Sequence, residues 1–187
     1  MARDDTFFLR ATLTSSGTNY VSENIDIAAF TNPSIGKVLI VDNAYITFST
    51  DGQGPIVPAD VTASGAGVKA VSKAMGAQAC SEVQTSLVEM KTNALFARSN
   101  IYASVTTPEV AAGDFDGPVM SMLSQTDALN PTTFRQGFTI PTNSIHCGIA
   151  TGSAWNGELD VGFLFEVHTT KLSLQKIQEL LISLTAN

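Results

Sequence analysis

A chain of 187 residues falls within the size of one domain, because all-β sandwiches often extend to about 200 residues around a single core, so two domains are not expected. Only 14% of the residues are charged, against the usual quarter or so, and 17 Ser and 21 Thr supply a neutral, hydroxyl-rich surface in their place, which suits strands and turns better than helices. The net charge of −7 argues against nucleic acid as a direct ligand, since binding it depends on lysines and arginines replacing phosphate counterions; between Arg98 and Lys171 the only cation is Arg135, and Met1-Ala2-Arg3-Asp4-Asp5 carries no polybasic arm.

From Thr6 to Thr14, Phe7, Leu9, Ala11 and Leu13 alternate with Thr6, Arg10, Thr12 and Thr14, apart from Phe8, the pattern of a strand with one buried face. After a turn at Ser15 to Gly17, a second strand is predicted from Tyr20 to Phe30, closed by Asn32 and Pro33. Lys37 to Ser49 starts apolar on both parities and reads as a central strand covered on both faces. Asp51 through Gly67 is rich in turn formers and is expected to be an exposed loop. Val68 to Met75 and Ala77 to Met90 suggest two strands hinged at Gly76, and Leu95 to Val105 alternates cleanly until Pro108 ends it. A second loop covers Glu109 to Gly117, followed by predicted strands at Val119 to Leu123, Thr133 to Ile140, Ile145 to Ala150 and Leu159 to Leu172. In the last, Val161, Phe163, Phe165 and Val167 form the core face while Glu166 and His168 point away.

About ten short strands without interleaved helices specify an antiparallel sandwich or barrel rather than βαβ units. Residues 1–172 are accordingly assigned to the β-sandwich. Residues 173–187 form a short amphipathic helix and tail of the same domain, in which Ser173 caps a stripe of Leu174, Ile177, Leu181 and Leu184. Two uses of that stripe stay open at this point: it covers an end of its own sandwich, or it docks on a neighbouring subunit. No stretch is apolar for long enough to span a bilayer as a helix, and the start lacks the layout of a secretion signal, so export by that route is not expected.

Groups suited to catalysis are few. His146 and Cys147 are consecutive in a predicted strand, so they should project to opposite faces and not share a metal. His168 beside Glu166 reads as a solvated pair, and Cys80 and Cys147 read as reduced, partly buried thiols. Thr151 to Gly157 lacks the spacing of a nucleophile elbow, Gly65 to Lys69 that of a phosphate loop, and Asp114 and Asp116 lack the further ligands of a calcium loop. No catalytic, metal or cofactor site is therefore expected, and the protein is not read as an enzyme. Trp155, in what looks like a hairpin loop, is a candidate either for stacking on a sugar or for plugging a subunit contact.

The order of elements, with Ile145 to Ala150 and Leu159 to Val167 in the place of its last two strands, resembles the jelly-roll coat proteins of tailless icosahedral viruses. The resemblance implies an all-β, antiparallel jelly-roll-like sandwich that assembles with itself, or with a sister coat protein, into an icosahedral shell. It would be made in the host cytoplasm and end in the virion. Trp155, Leu174, Ile177, Leu181 and Leu184 are the candidate subunit contacts. The missing basic arm departs from coat proteins that touch their genome, and implies an internal lipid membrane or a second protein layer between. The alternative is a carbohydrate-binding or adhesin-type sandwich module.

Overall fold

The computed structural model describes residues 6–50, 54–61, 70–106 and 119–185. Nine strands run in order as β1 (Phe7–Thr14), β2 (Val21–Asp26), β3 (Lys37–Thr50), β4 (Ala70–Cys80), β5 (Leu95–Thr106), β6 (Val119–Leu129), β7 (Phe138–Ile140), β8 (Ser144–Thr151) and β9 (Leu159–Lys171), with helices α1 (Pro58–Val61) and α2 (Leu174–Thr185). One sheet has the order β1-β9-β3-β7 and the other β2-β8-β4-β5-β6.

Every pairing is antiparallel, and the pairings are nested: β1 with β9, β2 with β8, β3 with β7, β4 with β5. Such nesting describes one long hairpin whose apex is the β4–β5 connection. Rolling it up adds the pairings of β9 with β3 and of β8 with β4, which is the jelly roll. The strand β6 is an addition to that scheme, inserted between β5 and β7 at the edge of the larger sheet.

The inner face follows the period-two pattern. Leu159, Val161, Phe163, Phe165 and Val167 of β9 are all buried, opposite Met75, Ala77 and Ala79 of β4 in one shared core. Phe96 ties the layers together, its ring 5.1 Å from that of Phe138 and 5.7 Å from that of Phe165. Where β3 outruns the three residues of β7, side chains take over the ladder: Asn130 Nδ2 donates to the Ala44 carbonyl at 2.6 Å, and Gln125 Nε2 to that of Ile46 at 2.5 Å.

Several boundaries differ from the sequence reading, each for a local reason. The strand expected from Tyr20 to Phe30 stops at Asp26, whose Oδ1 accepts from Ala28 N–H, after which Phe30 and Thr31 bond back to the Ile27 carbonyl. Gly76 is not a hinge: β4 runs straight through it, and the ends of the Leu87 and Arg98 side chains lie over it, 2.8 Å and 2.9 Å from where a Cβ would stand. The stretch 133–140 is strand only from Phe138, since Pro131–Thr133 forms a 3-10 turn capped by Asn130 and Gly137 takes a left-handed φ of 68°. Residues 54–61 are not a bare loop either, because Ile56 and Val61 enter the core. The expected loop from Glu109 to Gly117, with Asp114 and Asp116, and the stretch Gly65 to Lys69 lie outside the described residues.

Candidate functional site

Strand register builds two broad outer faces. On the four-stranded sheet, β1, β9 and β3 align Thr14, Asp160 and Ser49 in one row, and Thr12, Gly162 and Thr47 in the next. The third row is Arg10, Leu164 and Tyr45, and Phe8 with Glu166 begins the fourth. Thr14 Oγ1 donates to Asp160 Oδ1 at 2.6 Å, and a shallow depression of about 390 Å³ is lined by Arg10, Thr12, Tyr45, Thr47, Gly162 and Leu164. The five-stranded sheet presents Ser72 bonded to Ser104 at 3.3 Å and the exposed Tyr102 between Ala74 and Ser124. Both faces are mainly hydroxyls and rings, which lose less than ions do when water is removed.

The four candidate contacts on α2 separate into two kinds. Ile177 and Leu184 face inward, Leu184 packing with Cys80, Ala94 and Leu95, and Asn93 Nδ2 fastens the Ser183 carbonyl at 2.8 Å. Leu174, at 55% exposure, and Leu181, at 39%, are turned outward along the edge of the stripe. Ser173 caps α2 as expected, its Oγ accepting from Lys176 N–H. The helix therefore covers its own sandwich with one seven-residue pair and leaves the other on the surface.

Trp155 requires a correction. It is 8% exposed and belongs to the core, not to the tip of an open loop. Asn156 donates from N–H to the Asp60 carbonyl and from Nδ2 to the Ala59 carbonyl, both at 2.7 Å, and Lys73 Nζ reaches the Ala154 carbonyl. These bonds fold the β8–β9 turn onto α1 and close one end of the sandwich, so the indole is not available to stack on a sugar or to fill a neighbour.

The histidines are also placed by register. His146 and Cys147 do project to opposite faces, Cys147 into the core and His146 outward under the β4–β5 connection. Cys80 pairs with His146 in the ladder and so lies on the face opposite Cys147; both thiols are free and buried. Burial pushes Cys80 up to about 12 and Cys147 further up. His168 is not paired with Glu166. A bulge in β3 between Val41 and Asn43 turns Asp42 toward it, 2.6 Å from Nδ1. Among the described residues, no three His, Cys, Asp or Glu side chains converge as metal ligands would, and no helix is long and apolar enough to cross a membrane.

No protein-family model and no curated protein matches the sequence. Among solved structures, the tailspike protein of Acinetobacter baumannii phage AM24 aligns with 87% of this chain at 6% identity and a TM-score of 0.14. The chain spans 27% of that tailspike's length, and a superposition this loose bears on neither fold nor function.

Proposed function

We propose that this protein is a coat subunit of a tailless icosahedral virus, a jelly roll that tiles with its own copies, or with a sister coat protein, into the shell of the virion. One observation carries the reading: a two-sheet sandwich whose outer rows hold mostly neutral hydroxyls and rings, with Arg10, Asp160 and Glu166 the charged members on the four-stranded side, which would cost less to desolvate against another subunit than a densely charged face. The exposed Leu174 on α2 adds an apolar contact beside those faces. With a net charge of −7, the shell would stand off its genome, lined by a lipid membrane or a second protein layer.

Electron microscopy of the purified protein, alone and with the other proteins of its source particle, tests this directly. Closed shells of uniform size are the expected result. A chain that remains monomeric under every native condition while turning over a substrate would end the proposal. Lipid extraction of the same particles tests the lining, and particles with neither lipid nor an inner protein layer would remove that part of it.

A further inference from the structure

The turn between β8 and β9 carries Trp155, Asn156, Gly157 and Glu158, and Asn156-Gly157 is the one place in the sequence where glycine follows asparagine. Glycine has no Cβ to crowd its own backbone nitrogen, so that nitrogen, once it gives up its proton, can reach the carboxamide carbon of the asparagine before it. The setting leaves this approach open. Asn156 and Gly157 are exposed, a Cβ built on Gly157 meets nothing within 4 Å, and among the described residues no acceptor holds the Gly157 N–H. Gly157 also lines an open depression of about 410 Å³ with Thr50, Val57, Asp60 and Glu158, which gives water access to the same atoms.

The consequence comes from what the amide holds. Asn156 Nδ2 donates to the Ala59 carbonyl and Asn156 N–H to the Asp60 carbonyl, both at 2.7 Å, and these ties lay the turn on α1. Nδ2 is the atom that deamidation removes. Attack of the Gly157 nitrogen on Asn156 Cγ forms a new C–N bond, breaks the Cγ–Nδ2 bond and releases ammonia. Water then opens the succinimide to an aspartate or an isoaspartate, so one water is consumed for each ammonia released, and no other reagent is needed. The product carboxylate is an acceptor only. It cannot donate to the Ala59 carbonyl, which it would meet with a negative charge, and it adds that charge to a corner already holding Asp60 and Glu158. The nearby cation, Lys73, has its Nζ engaged by the Ala154 carbonyl.

We propose that Asn156 is a deamidation site that acts as a one-way release on this end of the sandwich: conversion of its amide unfastens the β8–β9 turn from α1 and uncovers Trp155. The release is independent of whether the chain builds a shell.

Trp155 is the only tryptophan, 8% exposed and part of the core, so its emission reports on this end alone. The intact protein is aged in mildly alkaline buffer, and each sample is divided between peptide mass spectrometry and fluorescence. The peptide holding Asn156 should gain the mass of an amide turned acid several-fold faster than any peptide holding another asparagine. In the same samples the emission should move to the red, and its quenching by acrylamide should rise in proportion to conversion. Gly157→Ala, whose new carbon has open space around it, should keep the starting emission and lose both changes over the same period. Asn156→Asp should show the raised quenching before any ageing. Conversion confined to other asparagines would overturn the site. Conversion at Asn156 with emission and quenching unchanged would overturn the release, as would a fluorescence change that survives Gly157→Ala. The first two outcomes are read on the unaltered protein and stand whether or not either variant folds.

Discussion

Gly148 on β8 lies directly beneath Tyr20, and a Cβ added there would fall 1.8 Å from the phenolic oxygen and 2.5 Å from Cζ. Gly148→Ala must therefore displace the ring that joins His146 to Gln78, and should cost about 1–3 kcal/mol in urea unfolding, the range of an overpacked site. Gly157→Ala, with nothing within 4 Å of its new carbon, should change stability by no more than about 0.5 kcal/mol. Phe96 marks the opposite failure: fully buried and in contact with the rings of Phe138 and Phe165, it should cost about 3–5 kcal/mol on truncation to alanine. Burial holds His146 below its ordinary value, and the sign of its effect on stability follows. Its neutral form is favoured by folding, so its contribution is complete above about 6.5 and is lost as pH falls below that value through the folded pKa. Denaturation midpoints should decline over that window in the unaltered protein and stay flatter in His146→Gln. Cys80, raised to about 12, should resist iodoacetamide at pH 8 until the protein is denatured.

Helix α2 buries one half of its stripe and exposes the other, and substitution separates the two. Ile177→Ala empties a site that is 3% exposed and should cost about 2–5 kcal/mol. Leu174→Asp, at 55% exposure, should leave the unfolding midpoint almost unchanged and, on the proposed coat function, reduce shell formation in light scattering. The alternation in β1, β5 and β9 was legible because each turns one face to the core and leaves the other mainly to polar residues, and Ser173 with its leucines marked the helix equally well. What escaped was set by distant partners. Gly76 looks like a hinge until Leu87 and Arg98 are seen crossing it. The Asp42 contact with His168 depends on a bulge that no local pattern announces. Trp155 looked exposed because its neighbours in sequence are turn formers, whereas it belongs to the core and the turn that carries it is tied through Asn156 to α1, almost a hundred residues earlier. The network that links Asn24, His146, Tyr20 and Gln78 could have been suspected only by knowing that β2, β4 and β8 adjoin.

For the molecule as a whole, the proposed coat function would set a long-range repulsion, from a charge of −7 per copy, against short-range contact between neutral faces. Raising ionic strength from about 0.01 M to about 0.15 M shortens the screening length from about 30 Å to about 8 Å. Assembly followed by light scattering should accordingly be faster at the higher salt, and slower assembly there would mean that ion pairs, not neutral faces, hold the shell together. The nested topology also has a temporal consequence. Both β1 and β3 find their neighbour in β9, with Phe7 opposite Val167 and Lys37 opposite Lys171. A ribosome must have read past Lys171 before the four-stranded sheet can exist, so until then β1 has no partner in that sheet and β3 has only the three residues of β7. A nascent chain stalled after Gly157 should be cut by protease throughout, and release of a few dozen further residues should convert it, in a single cooperative event, into a resistant domain.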